Sequence, residues 1–183
     1  MSSPAAHYSA RETLRDGRIV EIRALHPNDQ ADMILATKRI SKASLYRRFF
    51  GPKQRFSDRE IAFFINVDFD SHVALIATIQ EAGTVVIVGG GRFIRTNADG
   101  AELAFVVIDA YQGKGVGKAL LHHLLILART GGLHEVTAEV LLENRPMLAM
   151  FDKAGFERSV SPDPLVVHVR LPLVNDTPAT GRL

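Results

Sequence analysis

The chain contains no cysteine and no tryptophan, and only 7% of its residues are aromatic. Without cysteine it can form neither a disulfide nor a thiolate metal site, and it has no cysteine nucleophile. No apolar run reaches the roughly eighteen residues that a membrane-spanning helix needs. The start MSSPAAHYSARETLRDG also lacks the apolar segment of a signal peptide. These absences predict a soluble, cytoplasmic protein that does not bind or cross a membrane.

A strong excess of one charge is also missing. Twenty-two Lys and Arg oppose twenty Asp and Glu, which gives a formal net charge of +2 without a basic block. Such a balance disfavours a nucleic-acid partner. At 183 residues and 46% hydrophobic content, the chain can bury one core. We expect one domain over residues 13–173, with flexible ends at residues 1–12 and 174–183; the sequence predicts no oligomeric state.

The order of the periodic segments indicates the fold class. Asp16-Gly17 predicts a hairpin between two short strands, and the segment that follows is largely helical, with Ser57 and Glu60 at the spacing of a capping box. After Asp70 the pattern changes to strands, with one strand-loop-helix-strand crossover. This predicts an α+β (α/β) domain with a mixed sheet. Glycines 89–91 interrupt one strand, and either a bulge with close backbone packing or a longer loop explains them.

The segment DAYQGKGVGKALLHHLL places three glycines directly before a leucine-rich helix. A glycine-rich turn at a helix start directs several amide N–H groups at one point, which suits a phosphate. The nucleotide P-loop does not fit, because Gln112 stands where its first glycine belongs and Ala119 where its hydroxyl belongs. The dinucleotide fingerprint fails as well, since Lys118 or Leu120 falls at its third position.

The pattern that fits is Gln-x-x-Gly-x-Gly at Gln112, Gly115 and Gly117. It resembles the coenzyme A pyrophosphate loop of the GNAT superfamily of N-acetyltransferases. The flanks AELAFVVIDAYQGKGVGKALL and AEVLLENRPMLAMFDKAGF strengthen the resemblance, which covers roughly residues 13–171. Within the superfamily, TLRDGRIVEIRALHPND, LYRRFFG and VDFDSHVALIA are most similar to bacterial protein lysine acetyltransferase domains. The resemblance implies the GNAT-like acyl-CoA N-acyltransferase fold, with acetyl-CoA as co-substrate.

The resemblance also implies which residues hold the coenzyme. The loop amides would bind the pyrophosphate, the strand before the loop would pair through its backbone with the pantetheine arm, and this strand would splay from the next one. Asn144 matches a coenzyme contact, but it is equally placed to cap the helix that follows. Lys114 and Lys118 either face phosphate or are solvated. The implied coenzyme-binding residues are Phe105, Val106, Val107, Gln112, Gly113, Lys114, Gly115, Val116, Gly117, Lys118 and Asn144.

The reaction needs a neutral amine, and a lysine with a pKa near 10.4 is neutral only about once in 2,500 molecules at pH 7. A general base is therefore useful. By resemblance Glu102 is this catalytic base, although a surface glutamate at a strand start is the plain alternative; Glu139 and Glu143 are the other candidates. Many relatives carry a tyrosine that protonates the leaving thiolate, and this chain has Phe151 at the matching position. Here Tyr111 or water supplies that proton, or the thiolate leaves without one.

His122 and His123 are adjacent in a predicted helix, and adjacent residues do not share a helix face. We therefore expect no metal. The resemblance predicts an enzyme that acetylates a protein lysine, with an acyl-CoA synthetase as the expected partner. A small-molecule amine acceptor and a CoA-binding module without turnover are the alternatives.

Overall fold

A computed structural model describes residues 3–173 of the chain. Five α-helices and eight strands form the domain, and short 3₁₀ turns lie at Pro4–His7, Pro27–Asp29 and Asp109–Tyr111. In chain order the elements are β1 (Ser9–Thr13), β2 (Ile19–Ala24), α1 (Gln30–Thr37), α2 (Lys42–Phe49), α3 (Asp58–Ile65), β3 (His72–Glu81), β4 (Thr84–Arg95), β5 (Gly100–Val107), α4 (Val116–Thr130), β6 (Glu135–Leu141), α5 (Arg145–Lys153), β7 (Glu157–Val160) and β8 (Val166–Pro172).

The strands form one mixed sheet in the order β1-β2-β3-β4-β5-β6-β8-β7. Every neighbouring pair is antiparallel except β5 and β6, which are parallel. The crossover between these two strands runs through α4, as the sequence predicts. The mixed α+β sheet is therefore confirmed.

The first hairpin has the expected turn but starts earlier than expected. Gly17 has a φ of +84°, and the Leu14 N–H donates to Arg18 O at 2.8 Å. β1 begins at Ser9 and pairs with β2 along its whole length, so the domain begins before the predicted boundary at residue 13. The predicted flexible tail at residues 174–183 lies outside the described residues.

Side chains cap two helices of the first third, and one of these caps was predicted. The Ser57 side chain accepts from the Glu60 N–H at 3.3 Å and the Glu60 carboxylate accepts from the Ser57 N–H at 2.9 Å, so the capping box is present. Ser41 caps α2 by accepting from the Ser44 N–H at 3.2 Å. Among residues 3–173 no helix is long and apolar enough to cross a membrane.

The three glycines of β4 lie within a continuous strand, so the loop alternative is wrong. The register with β3 shifts between Ala77 and Thr78, which is a bulge. A Cβ on Gly91 would lie 2.8 Å from the Phe105 ring and 2.9 Å from Leu124 of α4. The backbone of β4 therefore approaches α4 so closely that a side chain at Gly91 has no room.

Side chains on β5 alternate between the two faces of the sheet. Leu103 and Phe105 are buried on the face that packs against α4 and α5. Glu102, Ala104 and Val106 point to the opposite face, which α1, α2 and α3 cover. The two faces thus separate the helix after the glycine loop from the helices of the first third.

Candidate active site

The central strands β5 and β6 separate part of the way along the sheet. Their parallel pairing joins only residues 100–102 to residues 135–137. Both strands continue beyond that point, β5 to Val107 and β6 to Leu141. At about 3.3 Å per residue, the unpaired part of β5 is roughly 16 Å long. The sheet therefore contains a wedge-shaped gap whose closed end lies at Glu102.

The edge of β5 offers backbone groups to this gap. The Ile108 N–H donates to Val88 O on β4 at 2.9 Å, so strand alternation turns the backbones of Phe105 and Val107 toward the gap and that of Val106 toward β4. The Val106 side chain instead lines a cavity. Of the three predicted backbone contacts, the structure presents Phe105 and Val107 to the gap and turns Val106 away from it.

At the open end of the gap the glycine loop presents a run of backbone amides without acceptors. Within the described part of the chain, the N–H groups of residues 113–118 donate no hydrogen bond, and the first to do so is that of Ala119, to Gly115 O at 3.0 Å. Gly113 and Gly115 have φ angles of +73° and +106°, which disfavour other residues. These amides and the positive end of α4 form a site that fits a pyrophosphate.

The β1-β2 hairpin holds the carbonyls of this loop on its other side. The Arg15 N–H donates to Lys114 O at 3.1 Å, and the Arg15 guanidinium donates to Gly113 O at 3.2 Å. Lys114 Nζ lies 3.7 Å from the Asp16 carboxylate, so this lysine turns toward the hairpin. Lys118 is exposed and forms no ion pair with residues 3–173. The hairpin thus orients the loop so that its amides face the ligand site.

Gln112 fastens the loop to β5 and α2. Its Nε2 donates to Val107 O at 3.1 Å and to Ser44 Oγ at 2.9 Å. The Asp109 carboxylate accepts from Ser41 Oγ at 2.6 Å, from the Ser41 N–H at 2.8 Å and from Ser44 Oγ at 2.9 Å. These hydrogen bonds hold the pKa of Asp109 below its usual value against the opposing effect of burial. The start of α2 and the glycine loop are therefore one hydrogen-bonded unit.

Glu102 lies at the closed end of the gap, and it is exposed. It pairs with Ile94 on β4 and shares its face of β5 with Ala104 and Val106, which line the cavity. The other candidate bases are placed differently: Glu139 is exposed on β6, and the Glu143 carboxylate lies 3.6 Å from Arg47 Nε. Of the three carboxylates, Glu102 is the one that lies at the end of the gap and on the face of β5 that also lines the cavity.

The cavity has a volume of about 420 Å³ and lies between the sheet and helices α1, α2 and α3. Its lining is mostly apolar, but Arg48 and Arg92 also border it, together with the exposed Lys38 and Arg55. Burial lowers the pKa of Arg92 to about 9, with a smaller effect of the Arg48 charge. Burial also lowers the pKa of Arg48, and the negative charge of Glu102 opposes this. The cavity therefore carries a positive potential next to Glu102.

The remaining candidate side chains are already engaged within the protein. Asn144 Oδ1 accepts from the Met147 N–H at 3.4 Å, so Asn144 caps α5, while its amide nitrogen donates no hydrogen bond to residues 3–173. Phe151 is 1% exposed and packs 4.6 Å from the Phe156 ring. The Tyr111 hydroxyl donates to Glu81 at the loop end of β5, far from Glu102. Neither aromatic residue stands where it could protonate a thiolate beside Glu102.

One cluster contradicts the sequence argument about histidines. A ligand atom from each of Glu12, His122 and His123 lies within 4.8 Å of the others, so adjacent helical histidines do reach one point. The Cα–Cβ bonds of His122 and His123 diverge, but rotation about their side-chain bonds brings the two rings together. Within the cluster, the Tyr8 hydroxyl lies 2.6 Å from His123 Nδ1 and Glu12 Oε1 lies 3.1 Å from His123 Nε2. Both ring nitrogens of His123 therefore have partners in the protein.

Comparison with known proteins identifies the family. The model of the acetyltransferase (GNAT) family matches residues 41–156. An acetyltransferase of Pseudomonas aeruginosa is 30% identical over 153 residues, which cover 83% of this chain and 82% of that protein. The chain therefore belongs to the GNAT family, and it is an acetyltransferase by this relationship.

Two further relatives are similar to this chain. Acetyltransferase Pat of Mycolicibacterium smegmatis is 31% identical over 78% of this chain, which spans only 42% of the length of Pat. The crystal structure of the GNAT domain of S. lividans PAT superposes with a TM-score of 0.83 at 33% identity, over 90% of this chain and 97% of that domain. The expected acyltransferase fold is thereby confirmed.

Sequence reasoning missed the arginine pair and the serines that hold the glycine loop. Arg92 had a visible signal, because it interrupts the apolar strand VVIVGGGRFI at a position that points inward. Nothing in the sequence marks Arg48 as a residue that lines a cavity, since an arginine in a short helix usually faces solvent. Ser41 was also recognisable as a helix cap but not as a partner of Asp109, because that contact joins distant segments.

Proposed function

We propose that this acetyltransferase transfers the acetyl group of acetyl-CoA to the side-chain amine of a lysine in a protein acceptor, with an acyl-CoA synthetase as the expected acceptor. One observation carries the proposal: the gap between β5 and β6 joins a site for pyrophosphate at one end to a carboxylate at the other. The resemblance to protein lysine acetyltransferase domains supports the choice of acceptor, as does the similarity to the PAT domain.

The chain's own residues fit each part of acetyl-CoA. The amides of residues 113–118 would hold the pyrophosphate, and the backbones of Phe105 and Val107 would pair with the pantetheine arm along the gap. The open edge of roughly 16 Å can accommodate an extended arm of that kind. This arrangement places the thioester near the closed end, where an unpaired N–H of β5 can polarise its carbonyl. Asn144 would contact the coenzyme through its free amide nitrogen.

Glu102 would act as the general base. The amine nitrogen attacks the thioester carbonyl, the bond between carbon and sulfur breaks, and Glu102 accepts the proton of the amine directly or through one water. The departing thiolate would take a proton from solvent, because Phe151 has no acidic proton and the Tyr111 hydroxyl already donates to Glu81. With a pKa of about 8.5, a thiolate leaves without an acid more readily than an alkoxide would.

A second acceptor class has one observation in its favour. A protein acceptor predicts a shallow, open cleft, whereas this chain has a cavity of about 420 Å³ that is lined mostly by apolar groups. Cavities of this size suit small molecules. A small amine is therefore the competing acceptor. A CoA-binding module without turnover would release no free CoA in the presence of any acceptor.

The two acceptors can be separated with purified protein and isotopically labelled acetyl-CoA. The enzyme is incubated with acyl-CoA synthetases and, in parallel, with a panel of small amines, and free CoA thiol is measured together with acetyl-lysine by mass spectrometry. We expect acetylation at one or a few synthetase lysines. Efficient acetylation of a small amine without any acetylated synthetase lysine would refute the protein acceptor.

A further inference from the structure

Two of the three arginines that line the cavity, Arg48 and Arg92, have no counter-ion within the described residues. Within residues 3–173, neither Arg48 nor Arg92 forms an ion pair with a carboxylate. Arg48 also donates no hydrogen bond to these residues; the Phe49 ring lies 4.8 Å from its guanidinium carbon. Removing an unpaired charge from water is costly, and buried charges are normally paired. An anion inside the cavity would supply the missing partner.

Arg92 is fixed in a way that leaves part of its guanidinium free. Its Nη1 donates to His72 Nε2 at 2.8 Å, and the Phe64 ring covers it at 4.7 Å from the guanidinium carbon. The two contacts of Arg92 with Phe64 O are each 3.5 Å long, which is weak for a hydrogen bond. His72 is buried, and burial together with the Arg92 charge lowers its pKa to about 4, so it adds no charge near neutral pH.

Glu102 does not neutralise the pair, although it is close enough to affect Arg48 electrostatically. It is exposed and forms no ion pair with either arginine, and it is not among the residues that line the cavity. A planar guanidinium binds a carboxylate through two parallel hydrogen bonds, which favours this anion over a halide. The cavity therefore combines an apolar wall with two guanidinium groups that have no carboxylate partner among residues 3–173.

We propose that Arg48 and Arg92 form a subsite for a carboxylate on the acceptor, so that the enzyme prefers an amine with an acidic group nearby. This inference rests on the proposed function and specifies its substrate class: in a protein acceptor, the carboxylate belongs to an Asp or Glu close to the target lysine.

The test compares synthetic peptides that are identical except for the residues beside one lysine, which are glutamate, glutamine or alanine. The kcat/KM of each peptide is measured by release of CoA thiol. We expect the wild type to favour the glutamate peptide by about tenfold or more, as for a charge-assisted hydrogen bond. Arg48→Met should bring this ratio close to one, mainly through KM, and Arg48→Lys should restore part of it.

Arg59→Met is the matched control, because it removes the same charge from an exposed position of α3 outside the cavity. It should keep the preference of the wild type. A wild type without preference for the glutamate peptide, or an Arg48→Met variant that keeps it, overturns the subsite. Circular dichroism of each variant confirms that the fold is intact.

Two further experiments distinguish failure of the subsite from failure of the proposed function. Calorimetry with glutarate, which has no amine, measures carboxylate binding without turnover, and we expect wild-type affinity to exceed that of Arg48→Met by about tenfold. Free L-glutamate tests a small acceptor. If glutarate binds as expected but only L-glutamate is acetylated, the subsite stands and the protein acceptor is refuted. If glutarate does not bind the wild type, the subsite is refuted whatever the enzyme acetylates.

Discussion

The adjacent glycines of β4 allow the packing of the sheet on α4 to be tested with two methyl groups. Gly91→Ala would place a Cβ 2.8 Å from Phe105 Cδ1 and 2.9 Å from Leu124 Cδ1. Neither neighbour can move freely, because Leu124 is 0% exposed and Phe105 is 5% exposed. In Gly90→Ala the new Cβ points to the other face of the sheet, where its only neighbour within 4 Å is Leu75 O at 3.7 Å.

The two variants should change the unfolding free energy in opposite directions. Overpacking a core by one methyl group costs about 1 to 3 kcal/mol of unfolding free energy, whereas replacing glycine in an unstrained position gains roughly 0.4 to 1 kcal/mol. Gly91→Ala should therefore be destabilised by a net amount of about 1 to 2 kcal/mol. Gly90→Ala should be neutral or more stable by up to about 1 kcal/mol, since its contact is an ordinary one.

Urea unfolding provides the assay, and it should be followed by far-ultraviolet circular dichroism because the chain has no tryptophan. The two variants differ by one position in the same strand, so each serves as the control of the other. Equal stability of Gly91→Ala and Gly90→Ala would refute the close approach of β4 to α4. A slower acetyl transfer by Gly90→Ala alone would show that its methyl group narrows the cavity that it borders.

Three other predictions address the site. Glu102→Gln should lower kcat about 10²-fold near neutral pH, with little change in acetyl-CoA affinity by calorimetry; a larger effect of the control Glu139→Gln would move the base to β6. Asp109→Asn should lower the unfolding free energy by about 1 kcal/mol in urea titrations; no loss would show that its contacts to α2 contribute nothing. His72 has a folded pKa of about 4, so its contribution to stability is lost as pH falls from the unfolded value toward 4. The wild type should thus lose about 2 kcal/mol more than His72→Gln between pH 7 and pH 5; equal losses would contradict this.

The parts of the site that were predictable from sequence are local in the chain. The glycine loop, its helix and the strand before it lie within one continuous segment, where spacing and conformational preference are both visible. The same applies to the capping box of Ser57 and Glu60, whose two hydrogen bonds join residues three apart. Glu102 was named by resemblance, and its role stays a prediction; the structure shows that the parallel pairing of β5 and β6 ends there.

The parts that were missed depend on contacts between distant segments. The strand β7 has only exposed side chains, so it shows no apolar alternation, and its pairing with β8 defines it. Most of the edge strand β1 was assigned to a flexible end. Its composition does not mark it as a strand, and its pairing with β2 defines it. The subsite of Arg48 and Arg92 needs α2 to lie over β4, which spacing along the chain does not reveal.

The helix α2 lies between the proposed pyrophosphate site and the proposed subsite for the acceptor. Its first turn is held by Asp109 and Gln112, through Ser41 and Ser44, so the position of the helix depends on the loop that would hold the pyrophosphate. Its last turn carries Arg48 into the cavity. Because an α-helix is stiff over two turns, a displacement of the loop moves Arg48 as well. If both proposed sites are correct, the arrangement of the glycine loop therefore sets the position of Arg48 through a rigid element, without any contact between the two ligands.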